Sequence, residues 1–283
     1  MELSLDRPYG LFVCPDCKGP LNELYCLRCA HRYPQADGFP VLFSRDARFA
    51  QAAQLGDAYD GIYTAQSNVW AEQGRTPEFL SFFSGLVNRL APQRFLEIGC
   101  GEGFLLSAVN APEKYAIDLS VKALNAARAR TQASLGVALA ERLPFPSSHF
   151  DAVASVGVME HFLDDAAVAR EVNRVLKPGG HYIALVHVHL TAWDRLRRNL
   201  RRFLLPRPRP VALARQLIGK LGQSKARQRR SLPKQPIQRR YTIASAKASI
   251  QTGGLKMLDV LHTGRNSSLP FIGPYVVVYL ARK

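Results

Sequence analysis

The sequence lacks any long apolar run, which limits where the protein can act. Among its 283 residues, no window approaches the roughly 18 uninterrupted apolar residues of a membrane-spanning helix. Residues 1–6 also lack the basic-then-apolar pattern of a secretory signal peptide. We therefore expect a cytoplasmic protein that has no spanning helix.

Cysteine is scarce, with five in the chain, and four of them fall in one short segment. They form two Cys-x-x-Cys pairs, separated by eight residues: Cys14, Cys17, Cys26 and Cys29. Each pair presents two thiolates from one tight knuckle, and two knuckles complete a tetrahedron around zinc. Disulfides, the alternative, fit poorly in a chain without an export signal. We expect a closed, structural Zn2+ site, with His31 outside it.

Acidic residues are absent from one long stretch. Between Arg195 and Arg240 there are sixteen Lys/Arg and no Asp/Glu. Residues 187–283 hold 21 basic and 2 acidic residues, whereas residues 1–186 hold 17 basic and 20 acidic. Such a localised surplus predicts attraction to an anionic partner.

The start of this basic stretch also has a helical pattern. Its apolar side chains share one helix face, with arginines on the other sides: Leu190, Trp193, Leu196, Leu200, Phe203 and Leu204. This pattern is typical of an interfacial membrane anchor. It equally suits a helix that packs on its own domain while its arginines hold phosphates. An anionic membrane surface, RNA, and a solvated insertion or protein contact therefore remain open as roles for residues 191–240.

The residues that carry chemistry begin at an apolar run, Arg94 to Ile98, which breaks into Gly99, Gly101 and Gly103 and then re-enters a helix-compatible run. Glycine is needed where a ligand touches backbone or where φ is positive. The pattern indicates a nucleotide-binding turn, although an ordinary strand-to-helix corner can share it. A second strand then ends at Asp118, whose carboxylate can accept both ribose hydroxyls of a nucleoside.

The succession of motifs resembles the class I S-adenosylmethionine-dependent methyltransferases, particularly the group that includes the quinone-biosynthesis enzymes. After the glycine turn and Asp118 come Ala140 to Pro146, the strand Phe150 to Val156 leading to Glu160-His161, and Leu176 to Gly180 before a strand at 181–188. The resemblance covers residues 76–190 closely and 241–283 loosely. It implies an α/β, Rossmann-like sheet of seven mostly parallel strands with helices on both faces.

The N-terminal residues 1–44 resemble the small zinc-ribbon proteins that bind and stabilise certain methyltransferases, here fused in cis. The ribbon either packs on the methyltransferase domain or helps to grip a substrate such as RNA. The other expected segments are a helical connector or lid at 45–75, the methyltransferase core at 76–190, the basic insertion at 191–240, and the last helix and two strands at 241–283.

The resemblance also implies which residues bind S-adenosyl-L-methionine at the carboxyl ends of the central strands. They are Glu97, Gly99, Cys100, Gly101, Gly103, Asp118, Leu119, Ala140, Glu141 and Val156. Relatives often have Asp just before the small residue near adenine, whereas this chain has Leu139. Adenine recognition would then rely on the Ala140 backbone with Glu141 beside it. Tyr241 is either a substrate contact or a packing residue.

A general base is needed only if the acceptor atom carries a proton, and His161, His187 and His189 follow the fourth and fifth strands. We expect methyl transfer to a small-molecule or lipid/quinone-like acceptor, either in the cytoplasm or at the inner face of the membrane. RNA methylation and a non-catalytic, methyltransferase-like binding subunit are the alternatives.

Overall fold

A computed structural model describes residues 11–65, 76–189, 191, 235–262 and 276–283. The described residues up to Val188 and from Gln235 onward belong to one compact unit. The amphipathic helix predicted from Leu190 to Leu204 falls outside the described residues except at position 191, and most of the basic insertion at 191–240 does too. No helix in the described part of the chain has the length and apolar character needed to cross a membrane.

Seven strands form the main sheet, in the order β10-β11-β9-β8-β5-β6-β7. Strand β11 pairs antiparallel with both of its neighbours, while the other pairings are parallel. This confirms the predicted mostly parallel sheet with one antiparallel member. The strands are β5 (Arg94–Ile98), β6 (Glu113–Asp118), β7 (Ser134–Val137), β8 (Phe150–Val156), β9 (Leu176–His187), β10 (Lys256–His262) and β11 (Val276–Arg282).

Strand β9 begins five residues before the predicted start at His181. The run Pro178-Gly179-Gly180 predicts a turn, but the end of the chain pairs with it. Gly179 N–H donates to the Lys283 carbonyl at 3.2 Å, and Lys283 N–H donates to the Gly180 carbonyl at 3.0 Å. These long-range bonds keep the segment in the sheet.

Six helices accompany the sheet in the described residues, and two of them begin at a threonine cap. Thr76 accepts a hydrogen bond from Phe79 N–H, with proline at the next position, and Thr242 forms a capping box with Ser245. The helices are α1 (Ala52–Ala65), α2 (Pro77–Asn88), α3 (Phe104–Ala108), α4 (Val121–Arg128), α5 (Asp165–Val175) and α6 (Ile243–Gln251). Short 3-10 turns lie at Ala47–Phe49, Ala140–Arg142 and Met159–His161.

The core has two halves because successive residues of a strand face opposite sides of the sheet. On β5, Leu96 and Ile98 join the cluster that contains residues of α5 and α6. Phe95 joins the cluster that contains residues of α2, α3 and α4. Helices therefore cover both faces of the sheet, as predicted.

The N-terminal segment has four two-residue strands and lies against the β7 edge of the main sheet. Val41 forms a parallel bridge with Val137, and Leu42 N–H donates to the Val137 carbonyl at 2.7 Å. The rings of Phe12 and Phe145 stack with 5.2 Å between centroids. The short strands are β1 (Tyr25–Cys26), β2 (His31–Arg32), β3 (Gln35–Ala36) and β4 (Phe39–Pro40). Of the two roles left open for this segment, packing on the rest of the chain is the one observed.

Candidate cofactor and acceptor site

The four clustered cysteines bring their sulfur atoms together. All four Sγ atoms lie within 4.8 Å of one another, with 3.8 Å between Cys14 and Cys29 and 3.5 Å between Cys17 and Cys26. Four sulfurs held tetrahedrally about 2.3 Å from a zinc ion would be roughly 3.8 Å apart. The four thiols therefore fit zinc, and His31 is outside the group, with its ring against Tyr33.

Polar groups of the same segment contact two of these sulfur atoms. Gly19 N–H donates to the Cys17 sulfur at 3.4 Å, and the Tyr33 hydroxyl lies 3.1 Å from the Cys14 sulfur. Hydrogen bonds to sulfur stabilise thiolate ligands and hold them in place. This arrangement supports a structural role, because all four positions of a tetrahedral ion would be filled by protein.

The glycine turn adopts the backbone conformation that its sequence predicts. Gly99, Gly101 and Gly103 have φ of 66°, 51° and 75°, a region that side chains rarely enter. At Gly99 a Cβ would also lie only 2.6 Å from the side chain of Val158. The turn therefore favours glycine, and its backbone lies next to the ends of β5 and β6.

Asp118 ends β6 beside this turn. Its Oδ2 accepts a hydrogen bond from Gly101 N–H at 2.8 Å, and its Oδ1 accepts one from Ser120 N–H at 2.9 Å. An ionised carboxylate only accepts hydrogen bonds, and it offers about four lone-pair positions. The predicted ribose acceptor and the predicted glycine turn are therefore in direct contact.

Helix α1 covers this turn, and its contacts are specific. The Asp60 Oδ1 accepts hydrogen bonds from Ser120 Oγ at 2.5 Å and from Lys122 N–H at 3.0 Å. A Cβ built on Gly101 would lie 2.9 Å from the Tyr63 hydroxyl. The connector expected at 45–75 thus includes α1, which lies directly over the turn. The sequence analysis assigned no role to Asp60.

Tyr59, also on α1, is a polar group that sequence reasoning left unassigned. Its hydroxyl oxygen is buried and has no hydrogen-bond partner among the described residues. Burial, and then the charge of Asp118, raise the pKa of Tyr59, so the hydroxyl keeps its proton. Its ring meets the ring of His161 edge-on, with 6.2 Å between centroids. The Tyr59 hydroxyl is thus a hydrogen-bond donor that is available to a ligand near Asp118 and His161.

The expected adenine-side residues are buried, and one carboxylate is already engaged. Ala140 and Glu141 lie in a 3-10 turn, and Glu141 Oε1 accepts hydrogen bonds from Leu163 N–H at 2.6 Å and Asp164 N–H at 3.3 Å. Burial raises the pKa of Glu141. The carboxylate therefore holds the start of α5. The other expected contacts lie along strand ends and the turns that follow them, all buried except half-buried Leu119: Glu97, Cys100, Leu119 and Val156.

His161 and His187 differ in the group that is hydrogen-bonded to Nδ1 of the ring. His161 Nδ1 lies 2.6 Å from the Ile237 carbonyl, which can only accept, so Nδ1 carries the hydrogen. His187 Nδ1 lies 2.9 Å from Glu160 Oε1. That hydrogen bond raises the pKa of His187. His189 belongs to the second unit of the chain.

Tyr241 is buried at the start of α6. Its hydroxyl donates to Asp165 Oδ2 at 3.0 Å. A buried ring with an engaged hydroxyl favours the packing role over substrate contact.

Comparison with known proteins agrees with the fold. A family model described as a methyltransferase domain matches residues 96–184. A ubiquinone biosynthesis O-methyltransferase from Alkalilimnicola ehrlichii is 30% identical over 134 residues, which cover 42% of this chain and 54% of that protein. Another protein of that name, from Ralstonia nicotianae, is 35% identical over 117 residues, covering 37% and 48%. The chain thus spans about half the length of these relatives.

A solved structure is also similar. It is an S-adenosylmethionine-dependent methyltransferase from Thermotoga maritima, with a TM-score of 0.52 and 18% identity, covering 81% of this chain and 99% of that one. At this identity the likeness shows the fold alone.

Proposed function

We propose that this chain, a member of the class I S-adenosylmethionine-dependent methyltransferases, transfers a methyl group from S-adenosylmethionine to a small-molecule acceptor. The observation that carries the proposal is the direct contact between the Gly101 backbone and the Asp118 carboxylate under α1. Parallel sheets of this kind bind their ligands at the carboxyl ends of the strands. A nucleoside-containing cofactor fits that place.

Each expected contact has a physical role in this proposal. Asp118 accepts the ribose hydroxyls, and the glycine turn lets the cofactor lie against backbone. The Ala140 backbone recognises adenine, with Leu119 beside it. The rest of the pocket is formed by Glu97, Cys100, Glu141 and Val156.

Methyl transfer from S-adenosylmethionine requires mainly that the acceptor atom be aligned with the methyl group and the sulfur. When bound, S-adenosylmethionine supplies a methyl group that is already activated by the positive sulfur. The protein holds the acceptor in line with that group and excludes water, and such positioning can lower a barrier by about 7–11 kcal/mol. Helix α1, tied down through Asp60, provides the cover.

We also propose that the clustered cysteines bind a structural zinc ion. The ion would fix the knuckles that carry Phe12 and Lys18 against the main domain. Lys18 Nζ donates to the Leu143 carbonyl at 3.1 Å and to Glu171 Oε2 at 2.9 Å. Because the ribbon's contacts are with its own chain, they support a packing role more than an RNA grip.

The acceptor class we favour is a quinone-like or other lipid-soluble compound at an anionic membrane surface. Two relatives are named for ubiquinone biosynthesis, and residues 195–240 add sixteen positive charges without an acid. Clustered Lys/Arg attract anionic lipid headgroups, at about 1 kcal/mol for each residue near the surface.

The test is to incubate the purified protein with methyl-labelled S-adenosylmethionine and an extract of its own host, and then to separate RNA, protein and organic-soluble products. We expect label in the organic phase. Label in RNA would instead indicate that the basic segment, residues 195–240, binds nucleic acid. Tight cofactor binding without label in any fraction would indicate the binding-subunit alternative.

A further inference from the structure

Glu160 and His187 form a carboxylate–imidazole pair at the carboxyl ends of β8 and β9. Glu160 is buried, with 4% of its surface exposed, and its Oε1 accepts hydrogen bonds from both the backbone N–H and Nδ1 of His187. Burial alone would raise the pKa of Glu160, but the hydrogen bonds from His187 lower it below its usual range. The carboxylate is therefore ionised and its partner is fixed.

The pair fixes which nitrogen of His187 can act as a base. A carboxylate accepts only, so Nδ1 carries a hydrogen and Nε2 keeps its lone pair while the ring is neutral. The His187 side chain is 63% exposed, whereas that of Glu160 is 6% exposed. The buried group thus orients the ring, and the ring is accessible to a ligand.

The ring also lies beside Gly157, which follows β8. A Cβ built on Gly157 would be 3.5 Å from His187 Cε1, and the next residue, Val158, meets Gly99. Other titratable groups around the pair are Tyr182 and Tyr241. The negative charge of Glu160 helps to raise the pKa of both tyrosines. Arg239 N–H donates to the Glu160 carbonyl at 2.8 Å.

His161 lacks this support. Its Nδ1 donates to a neutral carbonyl, that of Ile237, where His187 donates to a buried carboxylate. A neutral carbonyl can set the orientation of an imidazole but stabilises its protonated form less than a carboxylate does. The two histidines are therefore not equivalent as bases.

We infer that His187 is the general base, that Glu160 is its positioning residue, and that the acceptor is a hydroxyl group; this rests on the methyl transfer proposed above. The acceptor O–H bond breaks and its proton passes to Nε2 of His187. The oxygen electron pair forms the bond to the methyl carbon. The carbon–sulfur bond breaks with its electrons left on sulfur, which becomes the neutral thioether of S-adenosylhomocysteine.

The first test follows the imidazole signals of the full-length protein by NMR as pH is varied. We expect His187 to be protonated at Nδ1 when neutral and to have a pKa above about 6.5, the ordinary histidine value. Glu160→Gln should lower that pKa by about one unit or more. A neutral His187 protonated at Nε2, or a pKa that Glu160→Gln leaves unchanged, would overturn the pairing.

The second test measures the pH dependence of methyl transfer from labelled S-adenosylmethionine into the organic extract of the host. His187→Gln should reduce the rate roughly 10²–10⁴-fold while cofactor affinity stays within twofold. Glu160→Gln should lower the maximal rate of methyl transfer and move the acid limb of the pH–rate profile to lower pH. His161→Gln should leave the limb in place. His181→Gln, the same change in the middle of β9, is the matched control for folding and rate.

The outcomes separate the two proposals. Transfer that survives His187→Gln, or an acid limb that moves in His161→Gln, would overturn the role of His187 and leave the methyl transfer standing. Absence of transfer by the wild-type protein in every fraction would overturn the proposed function itself. Because His187 is largely exposed, its replacement should fold normally, which a melting curve checks.

Discussion

The carboxylate of Asp60 accepts the hydroxyl hydrogen of Ser120 across a distance of 2.5 Å, although sixty residues separate them. Ser120 also begins α4, where its Oγ accepts from Ala123 N–H. One hydrogen-bonded group therefore joins the covering helix α1 to the loop that follows Asp118. Helix α1 and the candidate cofactor site are therefore connected through the Ser120 hydroxyl.

Replacement of Asp60 should loosen this cover. We expect Asp60→Asn to weaken S-adenosylmethionine binding by about 5- to 30-fold, since hydrogen bonds to a charged group contribute roughly 1.5–3 kcal/mol and only part is lost. Calorimetry gives the affinity. Asp57→Asn, on the exposed side of the same helix, is the control. Equal affinities in the two variants would mean that α1 does not depend on Asp60.

Removal of zinc should destabilise the whole described unit. The knuckles carry Phe12 and Lys18 onto the main domain, so their unfolding exposes the surface around Phe145. A loss of about 5 kcal/mol would lower Tm by roughly 10–20 °C. We expect chelation and Cys14→Ser to do this and to release one zinc ion per chain.

Cys100→Ser is the matched control, because Cys100 is buried outside the cluster. It should retain the metal. A protein that contains no zinc as purified, or a melting curve that chelation does not change, would contradict the structural site.

His149 should make stability depend on pH. Burial, and then the positive charge of Arg94, lower its pKa to about 4. Below the unfolded value of about 6.5 the unfolded chain takes up a proton that the folded chain does not, so folding weakens as pH falls from 6.5 toward 4. When the pH is lowered from 7 to 5, the Tm of His149→Gln should fall by about 2–4 °C less than the Tm of the wild type. Parallel curves for the two proteins would show that His149 titrates normally when folded.

Local signals in the sequence predicted much of this molecule. The turn of Gly99, Gly101 and Gly103 was predictable because glycine adopts positive φ far more readily than other residues. The caps at Thr76 and Thr242 were predictable because they depend on residues three positions apart. The clustering of the four thiols of Cys14, Cys17, Cys26 and Cys29 was predictable for the same reason, since each Cys-x-x-Cys knuckle is a local structure.

Contacts between distant segments were not predictable. The hydrogen bond of Asp60, the bridge between Val41 and Val137, and the pairing of Glu160 with His187 each join residues far apart in sequence. Local propensity carries no information about such pairs. The early start of β9 was missed for the same reason, because its partner Lys283 is the last residue of the chain.

The account's central claim is that Asp118 and the glycine turn bind S-adenosylmethionine. Titration calorimetry of the full-length protein with the cofactor tests it most directly, comparing the wild type with Asp118→Ala. We predict saturable binding by the wild type and a loss of at least about 100-fold in the variant, because two ribose hydroxyls lose a charged acceptor. An unchanged affinity in a variant with a normal melting curve would contradict the assignment.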